Sequence, residues 1–62
     1  MEYLGKGRVI TDKLCWIEQG DIVYVHEYEE GEERDSLENA DYRIFDDSYS
    51  FDVYEDEIEL IR

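Results

Sequence analysis

Sixty-two residues limit this chain to one small domain with a thin core. A folded chain of this size removes only about 60% of its unfolded surface from water, so a deep catalytic cleft is not expected. Six tyrosines, two phenylalanines and one tryptophan supply large buried areas that compensate in part. The single cysteine, Cys15, cannot form an intramolecular disulfide, and no apolar run approaches the roughly 20 residues of a membrane span. These features predict a soluble cytoplasmic protein.

Short runs of β-branched and aromatic residues, separated by turn residues, predict five strands. The predicted strands cover residues 7–11, 21–28, 42–45, 49–53 and 58–61. In the second run, the two-residue period of a strand places Val23 and Val25 on one face and Tyr24 and Tyr28 on the other. The polar segment 29–38 is predicted to be a loop, with one short helical turn as the alternative.

Apolar residues within and between these runs form the predicted core. They are Val9, Leu14, Ile17, Val23, Val25, Ile44, Phe51, Val53 and Ile58, with Trp16 partly buried. The order of elements resembles SH3-like small barrels, with 7–10 as the first strand, 14–20 as the long first loop and 51–60 as the last turn and strand. The resemblance implies an all-β, SH3-like five-stranded barrel in a single acidic domain over residues 1–62. It implies no particular activity, because one scaffold hosts many functions.

Residue types exclude several uses of such a barrel and leave one open. The sequence lacks the aromatic segment of polyproline-binding SH3 domains, and its acidic loops repel the RNA that basic relatives bind. An aromatic cage for a methylated lysine or arginine remains open. Its candidate rings are Tyr24, Tyr28, Tyr42 and Tyr49.

Catalytic and metal-binding patterns are not recognisable in the sequence. His26 has no adjacent nucleophile, and Cys15 has no catalytic context. One histidine and one cysteine are too few for a closed zinc site, and the acidic pairs lack the spacing of a calcium loop. We therefore expect no enzyme activity, no bound metal and no cofactor.

Acidic residues outnumber basic residues by 19 to 6, which gives a formal net charge of −13. Residues 1–25 contain four acids and three bases, whereas residues 26–62 contain fifteen acids and three bases. Such a chain is not expected to bind nucleic acid or an anionic membrane directly. The predicted partner-binding residues are Glu27, Glu29, Glu30, Glu32, Glu33, Asp35, Glu38, Asp46, Asp47, Asp52, Glu55, Asp56, Glu57 and Glu59.

The net charge of the chain is comparable to that of a DNA duplex of the same length. A compact domain of this length has a diameter near 27 Å, over which a DNA duplex carries about 16 negative charges. The net charge of −13 is of the same order. Solubility alone usually needs a magnitude of only about 2 to 8, so a cationic partner or a halophilic environment is indicated.

Small size, acidic clusters and the lack of catalytic residues resemble the acidic DNA-mimic proteins of bacteriophages. The resemblance implies an inhibitor that occupies the basic DNA-binding groove of a host DNA-binding protein in the bacterial cytoplasm. A nucleoid-associated HU-type protein is the favoured target, and a uracil-DNA glycosylase, restriction factor, nuclease or polymerase are others. The alternative is an acidic SH3-like adaptor that binds a basic protein segment without nucleic-acid competition. A homodimer is expected around Leu4, Leu14 and Trp16, because the N-terminal half is nearly neutral and a small barrel often leaves an open edge.

Overall fold

A computed structural model describes residues 1–34 and 37–61 of the chain. Its elements are the strands β1 (Glu2–Val9), β2 (Ile22–Glu27), β3 (Tyr42–Phe45), β4 (Ser50–Val53) and β5 (Ile58–Leu60), with a 3-10 turn at Glu55–Glu57. The prediction of an all-β chain with five strands is confirmed. No helix among the described residues has the length and apolar character needed to cross a membrane.

The five strands form one antiparallel sheet in the order β4-β3-β2-β1-β5. The first four strands pair with their sequence neighbours, whereas β5 pairs with the other edge of β1. The register aligns apolar positions, because Ile44 lies opposite both Val25 of β2 and Phe51 of β4. Since side chains alternate across a strand, matched positions of this kind build one continuous apolar face.

The short link between β4 and β5 forces the sheet to curl. These strands are the opposite edges of the sheet, and the edges of a flat five-stranded sheet lie about 19 Å apart at a strand spacing of about 4.8 Å. Only residues 54–57 connect them, and most of that link is a 3-10 turn, which rises only about 2 Å per residue. Val53 of β4 and Ile58 of β5 accordingly belong to the same buried cluster. Within the described residues β4 and β5 do not pair with each other, so the sheet is not closed.

The buried cluster of the described residues contains most of the predicted core. Its members are Val9, Ile17, Val23, Val25, Ile44, Val53 and Ile58, all of which were predicted. Leu14 and Phe51 are only partly buried and pack against this cluster. Tyr28 and Ala40 are buried as well and were not predicted. The strand predicted over 21–28 placed Tyr28 on the same face as Tyr24, but β2 ends at Glu27, so the strand period does not extend to Tyr28. Ala40 lies in the connection between β2 and β3, where no strand was predicted.

Trp16 is more exposed than predicted, because 68% of its surface remains accessible. The adjacent residue Ile17 occupies the buried position in this loop and is only 3% exposed. Leu4 and Leu14 pack against the core. Of the three residues expected at a dimer interface, Trp16 is therefore the exposed one.

β1 begins at Glu2 and not at residue 7, because glycines within it hide the strand pattern. Gly5 adopts a positive φ of 116° at a shift in the pairing register with β2, which is a bulge that favours glycine. At Gly7, an added Cβ would lie 2.7 Å from a methyl carbon of Val25 and 2.7 Å from one of Ile58. Glycine at this position therefore permits the close packing of β2 and β5 on β1.

Candidate partner-binding surface

The connection between β2 and β3, residues 28–41, is attached to the sheet at Asp52. The Asp52 carboxylate lies 3.0 Å from Nη1 of Arg43, its cross-strand neighbour on β3. It also accepts hydrogen bonds from the Tyr28 hydroxyl and, at 3.2 Å, from the backbone N–H of Leu37. Arg43 in turn donates to the Ser50 hydroxyl at 2.7 Å. Burying a charged carboxylate costs free energy, and the paired cation and the hydrogen-bond donors around Asp52 offset this cost.

The prediction that Asp52 binds a partner is consequently wrong. The residue is only 3% exposed, and its carboxylate is used inside the protein. The sequence does contain a signal of this pairing. A hairpin that turns at residues 46–49 places Arg43 directly opposite Asp52. An opposite-charge pair at facing strand positions indicates an internal ion pair rather than a docking residue.

Arg34 lies within the same connection and donates hydrogen bonds to its backbone. Its Nε donates to the carbonyl of Ala40 at 3.0 Å and its Nη1 donates to the carbonyl of Glu32 at 2.8 Å. The guanidinium also lies over the ring of Tyr28, 4.7 Å from its centroid. Its hydrogen-bonding capacity is therefore directed at the backbone, and it holds together the two arms of the connection.

Three predicted partner-binding acids other than Asp52 accept hydrogen bonds from backbone N–H groups two or three residues away. Asp46 accepts from the N–H groups of Ser48 and Tyr49, at 2.8 and 2.6 Å, and so closes the turn between β3 and β4. Glu57 accepts from Tyr54 at 3.0 Å and caps the 3-10 turn. Glu32 accepts from Glu29 at 3.0 Å. These carboxylates support local structure, in the way that acidic side chains commonly do at turns.

Besides Asp52, two of the predicted acids have cationic partners in the described chain. Glu59 lies 3.1 Å from Nη1 of Arg8 across the β1 and β5 pair, where both side chains are exposed. Glu32 lies 3.1 Å from the N-terminal ammonium group. The hydrogen bond from the Glu29 backbone, followed by the ammonium group, lowers the pKa of Glu32 from its ordinary value.

The other predicted acids are exposed and, among the described residues, have neither a cationic partner nor a backbone donor. They are Glu27, Glu29, Glu30, Glu33, Glu38, Asp47, Glu55 and Asp56. Asp35 was also predicted and lies outside the described residues. Exposed carboxylates without a partner retain their full charge for an external cation, which makes this group the candidate binding set.

The fold brings the end of the connection between β2 and β3, which carries Glu29, Glu30, Glu33 and Glu38, into contact with the 3-10 turn, which carries Glu55 and Asp56. The backbone N–H of Glu55 donates to the Asp41 carboxylate at 2.9 Å, and the N–H of Asp41 donates to the carbonyl of Val53 at 3.0 Å. The connection from β2 to β3 thus ends against the 3-10 turn. We call the combined region the acidic surface, and it comprises Glu27, Glu29, Glu30, Glu33, Glu38, Glu55 and Asp56. Asp47 lies apart, in the turn between β3 and β4.

The four tyrosines proposed for an aromatic cage do not converge. Tyr28 is buried beneath Arg34, and Tyr24 packs against Tyr3 with ring centroids 6.4 Å apart. Tyr49 stacks on Trp16. In the described chain, no ring contact joins Tyr24, Tyr28 and Tyr49 to one another. A cage needs several rings around one cation, so this set of residues does not form one.

His26 and Cys15 are placed separately. His26 lies between the rings of Tyr3 and Phe45, at centroid distances of 5.1 and 4.8 Å, while Cys15 is an exposed thiol in the loop before β2. Within the part of the chain that the structure describes, no three His, Cys, Asp or Glu side chains are grouped to hold a metal ion.

The buried tyrosine makes stability depend on pH at the alkaline end. Burial, and then the hydrogen bond to Asp52, raises the pKa of Tyr28 above its usual 10.0. Its neutral form is thus favoured in the folded state, so this contribution is fully present below about pH 10 and is lost as pH rises further. We expect the free energy of unfolding from urea titrations to fall above about pH 10. The fall should be smaller in Tyr28→Phe than in Tyr54→Phe, whose hydroxyl is on an exposed residue. Equal pH dependence in both variants would contradict this assignment.

The candidate site is therefore an open surface of exposed carboxylates, on a backbone that Arg34, Asp41 and Asp52 hold through hydrogen bonds. Its geometry presents unpaired negative charge to solvent on the described part of the chain. No protein-family model, no curated protein and no solved structure matches this chain.

Proposed function

We propose that this protein is a DNA mimic that occupies the basic DNA-binding groove of a host DNA-binding protein, with a nucleoid-associated HU-type protein as the favoured target. The observation that carries the proposal is the acidic surface, in which seven exposed carboxylates lack cationic partners in the described chain. Binding is the proposed activity, and no catalysis is proposed. We further propose that the protein is phage-encoded and acts in the bacterial cytoplasm.

The dimensions of the molecule suit this role. Its longest principal extent is 30 Å, a length over which a DNA duplex carries about 18 negative charges. The formal net charge of the chain is −13. Competition for a groove shaped for DNA requires a charge density of this order, and most of the charge lies in the half of the chain that forms the acidic surface.

The hydrogen-bonded backbone beneath this surface supports a binding role over a role in solubility alone. Arg34 ties the connection between β2 and β3 to itself, Asp52 ties it to the sheet, and Asp41 ties it to the 3-10 turn. The backbone that carries the carboxylates is therefore ordered before binding. Charges that are held in place before binding lose less conformational entropy on association than flexible charges. The regularly spaced phosphates of DNA share this property.

We propose an SH3-like small barrel as the finer description of the fold. The strand order, the sequential pairing of β1 to β4 and the return of β5 to β1 through a single 3-10 turn support it. The curling imposed by that turn brings β4 and β5 toward each other, as partial closure requires. In such a fold the connections carry the recognition residues on a compact scaffold, which matches the location of the acidic surface.

A competition experiment tests the function. An HU-type protein is bound to a labelled DNA duplex of about 30 base pairs, a length comparable to a DNA-bending site, and the acidic protein is added in increasing amounts at about 0.1 M salt. We expect the acidic protein to bind the HU-type protein and release the duplex. Raising the salt should weaken the complex while stabilising the free acidic protein, because screening reduces both attraction and self-repulsion.

The alternative function is separated by the same experiment. An adaptor would form a complex with a basic protein and leave the DNA in place, giving a ternary species on the gel. A ternary species, or binding that does not change with salt, would refute DNA mimicry. A set of DNA-processing proteins tested in parallel distinguishes a wrong target from a wrong mechanism, because a mimic should displace DNA from at least one of them.

A further inference from the structure

A ladder of three aromatic rings extends from the core to solvent beside the turn between β3 and β4. Phe51 packs against the buried cluster, Tyr49 lies 6.4 Å from Phe51, and Trp16 stacks on Tyr49 at 5.8 Å with an interplanar angle of 18°. Trp16 and Tyr49 are 68% and 49% exposed. The structure thus exposes its only tryptophan on a supported ring stack.

The stack is held in place from both sides. Tyr49 is fixed by the hydrogen bond from its N–H to Asp46, and Trp16 is followed by Ile17, which is anchored in the core. The end of the Trp16 loop is tied to β1 by the hydrogen bond from Gly20 N–H to the carbonyl of Val9, at 2.7 Å. A large ring that stays accessible on an ordered support is the usual form of an interface anchor, where tryptophan and tyrosine are enriched.

Cations lie over two other rings in the described chain, Arg34 over Tyr28 and Arg43 over Phe45, and none lies over Trp16 or Tyr49. Two carboxylates share a groove with Trp16, and a third precedes Tyr49 in the chain. Asp12 and Glu18 line the same shallow groove as Trp16, and Asp47 lies in the turn that leads to Tyr49. An exposed aromatic face with carboxylates nearby complements a planar cation, which stacks on the ring and hydrogen-bonds to the acids.

We propose that the Trp16 and Tyr49 stack is an anchor for an arginine side chain of the basic partner protein. This inference rests on the proposed function, because it assigns a second contact on the partner of the acidic surface. The guanidinium stacks on the free face of Trp16, while neighbouring carboxylates accept its N–H groups. Arginine is favoured over lysine because its cation is planar and more weakly hydrated. The acidic surface supplies attraction at long range, and the stack supplies selectivity at contact.

The probes are two homopeptides of about eight residues, one of arginine and one of lysine, which carry the same charge. Measurements at low salt favour their electrostatic binding. Trp16 is the only tryptophan, so its emission reports occupancy of the stack directly. We expect the arginine peptide to change this emission strongly and the lysine peptide to change it little. By calorimetry, Trp16→Ala should weaken arginine-peptide binding about 5-fold to 30-fold and lysine-peptide binding by no more than about 2-fold.

The control variant is Tyr3→Ala, which removes another exposed ring that contacts Tyr24 and His26 instead. It should leave both affinities unchanged, and Trp16→Phe should retain part of the arginine preference. If both peptides bind but Trp16→Ala weakens neither selectively, the anchor is refuted while the proposed function stands. If neither peptide binds at low salt, the proposed function fails as well. Concentration-dependent emission of the free protein, with a dimer in sedimentation, would assign the stack to a second copy and overturn the proposal.

Discussion

Replacing Asp52 by alanine is expected to unfold a large fraction of the protein at 25 °C. The substitution removes the carboxylate that pairs with Arg43 and that accepts hydrogen bonds from Tyr28 and Leu37. Breaking a buried ion pair by removing one partner costs about 3 to 5 kcal/mol. A domain of this size has only about 3 to 9 kcal/mol of stability, at about 0.05 to 0.15 kcal/mol per residue. Urea titration followed by far-ultraviolet circular dichroism measures the loss.

Two further variants separate the buried network from acidity in general. Tyr28 and Leu37 donate to different oxygens of the Asp52 carboxylate. Asp52→Asn keeps one acceptor oxygen, which serves one of these two donors, and should retain part of the stability. Asp47→Ala removes an exposed carboxylate without a cationic partner in the described chain, and the free energy of unfolding should change by less than about 0.5 kcal/mol. Similar losses in Asp52→Ala and Asp47→Ala would show that the internal network contributes nothing specific.

Reversing Glu55 and Asp56 to lysine should weaken binding to the basic partner by about 100-fold or more. Each charge contributes about 1 kcal/mol to a contact in water, and reversal replaces this attraction with a similar repulsion, so two reversals cost about 4 kcal/mol at full contact. Partial screening reduces this to the stated effect. Glu57 is left unchanged because it caps the 3-10 turn. The folded state should be retained, since neither altered side chain has a cationic partner in the described chain.

A double variant, Arg8→Glu with Glu59→Lys, provides the control for this reversal. It exchanges the members of an existing exposed ion pair, keeps the net charge and lies on β1 and β5, outside the acidic surface. Its affinity should stay within about 3-fold of the unaltered protein, because exposed pairs contribute only about 0 to 1 kcal/mol. Glu2 is unsuitable as a control, because the register places it directly opposite Glu27. Equal losses in the two double variants would refute a role for the acidic surface.

The periodicity of apolar residues was sufficient to predict the strands and most of the core. Val23 and Val25 alternate cleanly with exposed neighbours, and Ile44 and Val53 lie in runs bounded by turn residues. Prediction failed where side-chain direction depends on tertiary contacts. Tyr28 follows the last residue of β2, so the strand period no longer applies to it, and its burial results from Asp52 and Arg34.

The sequence was sufficient to locate the acidic residues of the candidate site. It was not sufficient to tell which of them are free to contact a partner. Sequence clustering located the acids of the acidic surface, which the fold then joined through Asp41. It could not separate free carboxylates from those, such as Asp46 and Glu57, that accept backbone N–H groups. That distinction depends on the dihedral angles of the following turn, which residue type alone does not determine. The exposed ring stack was likewise missed, because Trp16 and Tyr49 are far apart in sequence.

The pairing of β5 with β1 has a consequence for how the protein reaches its folded state. Val9 lies opposite Ile58, and Gly7 lies opposite Leu60, so contacts essential to the core join positions separated by nearly the whole chain. Ordering so long an intervening segment costs entropy before these contacts compensate for it. Mutual repulsion among the acids of that segment adds to the barrier at low ionic strength. Refolding should therefore be slow for a domain of this size and should accelerate with added salt, and a chain ending before Ile58 would lack the contact that completes the core.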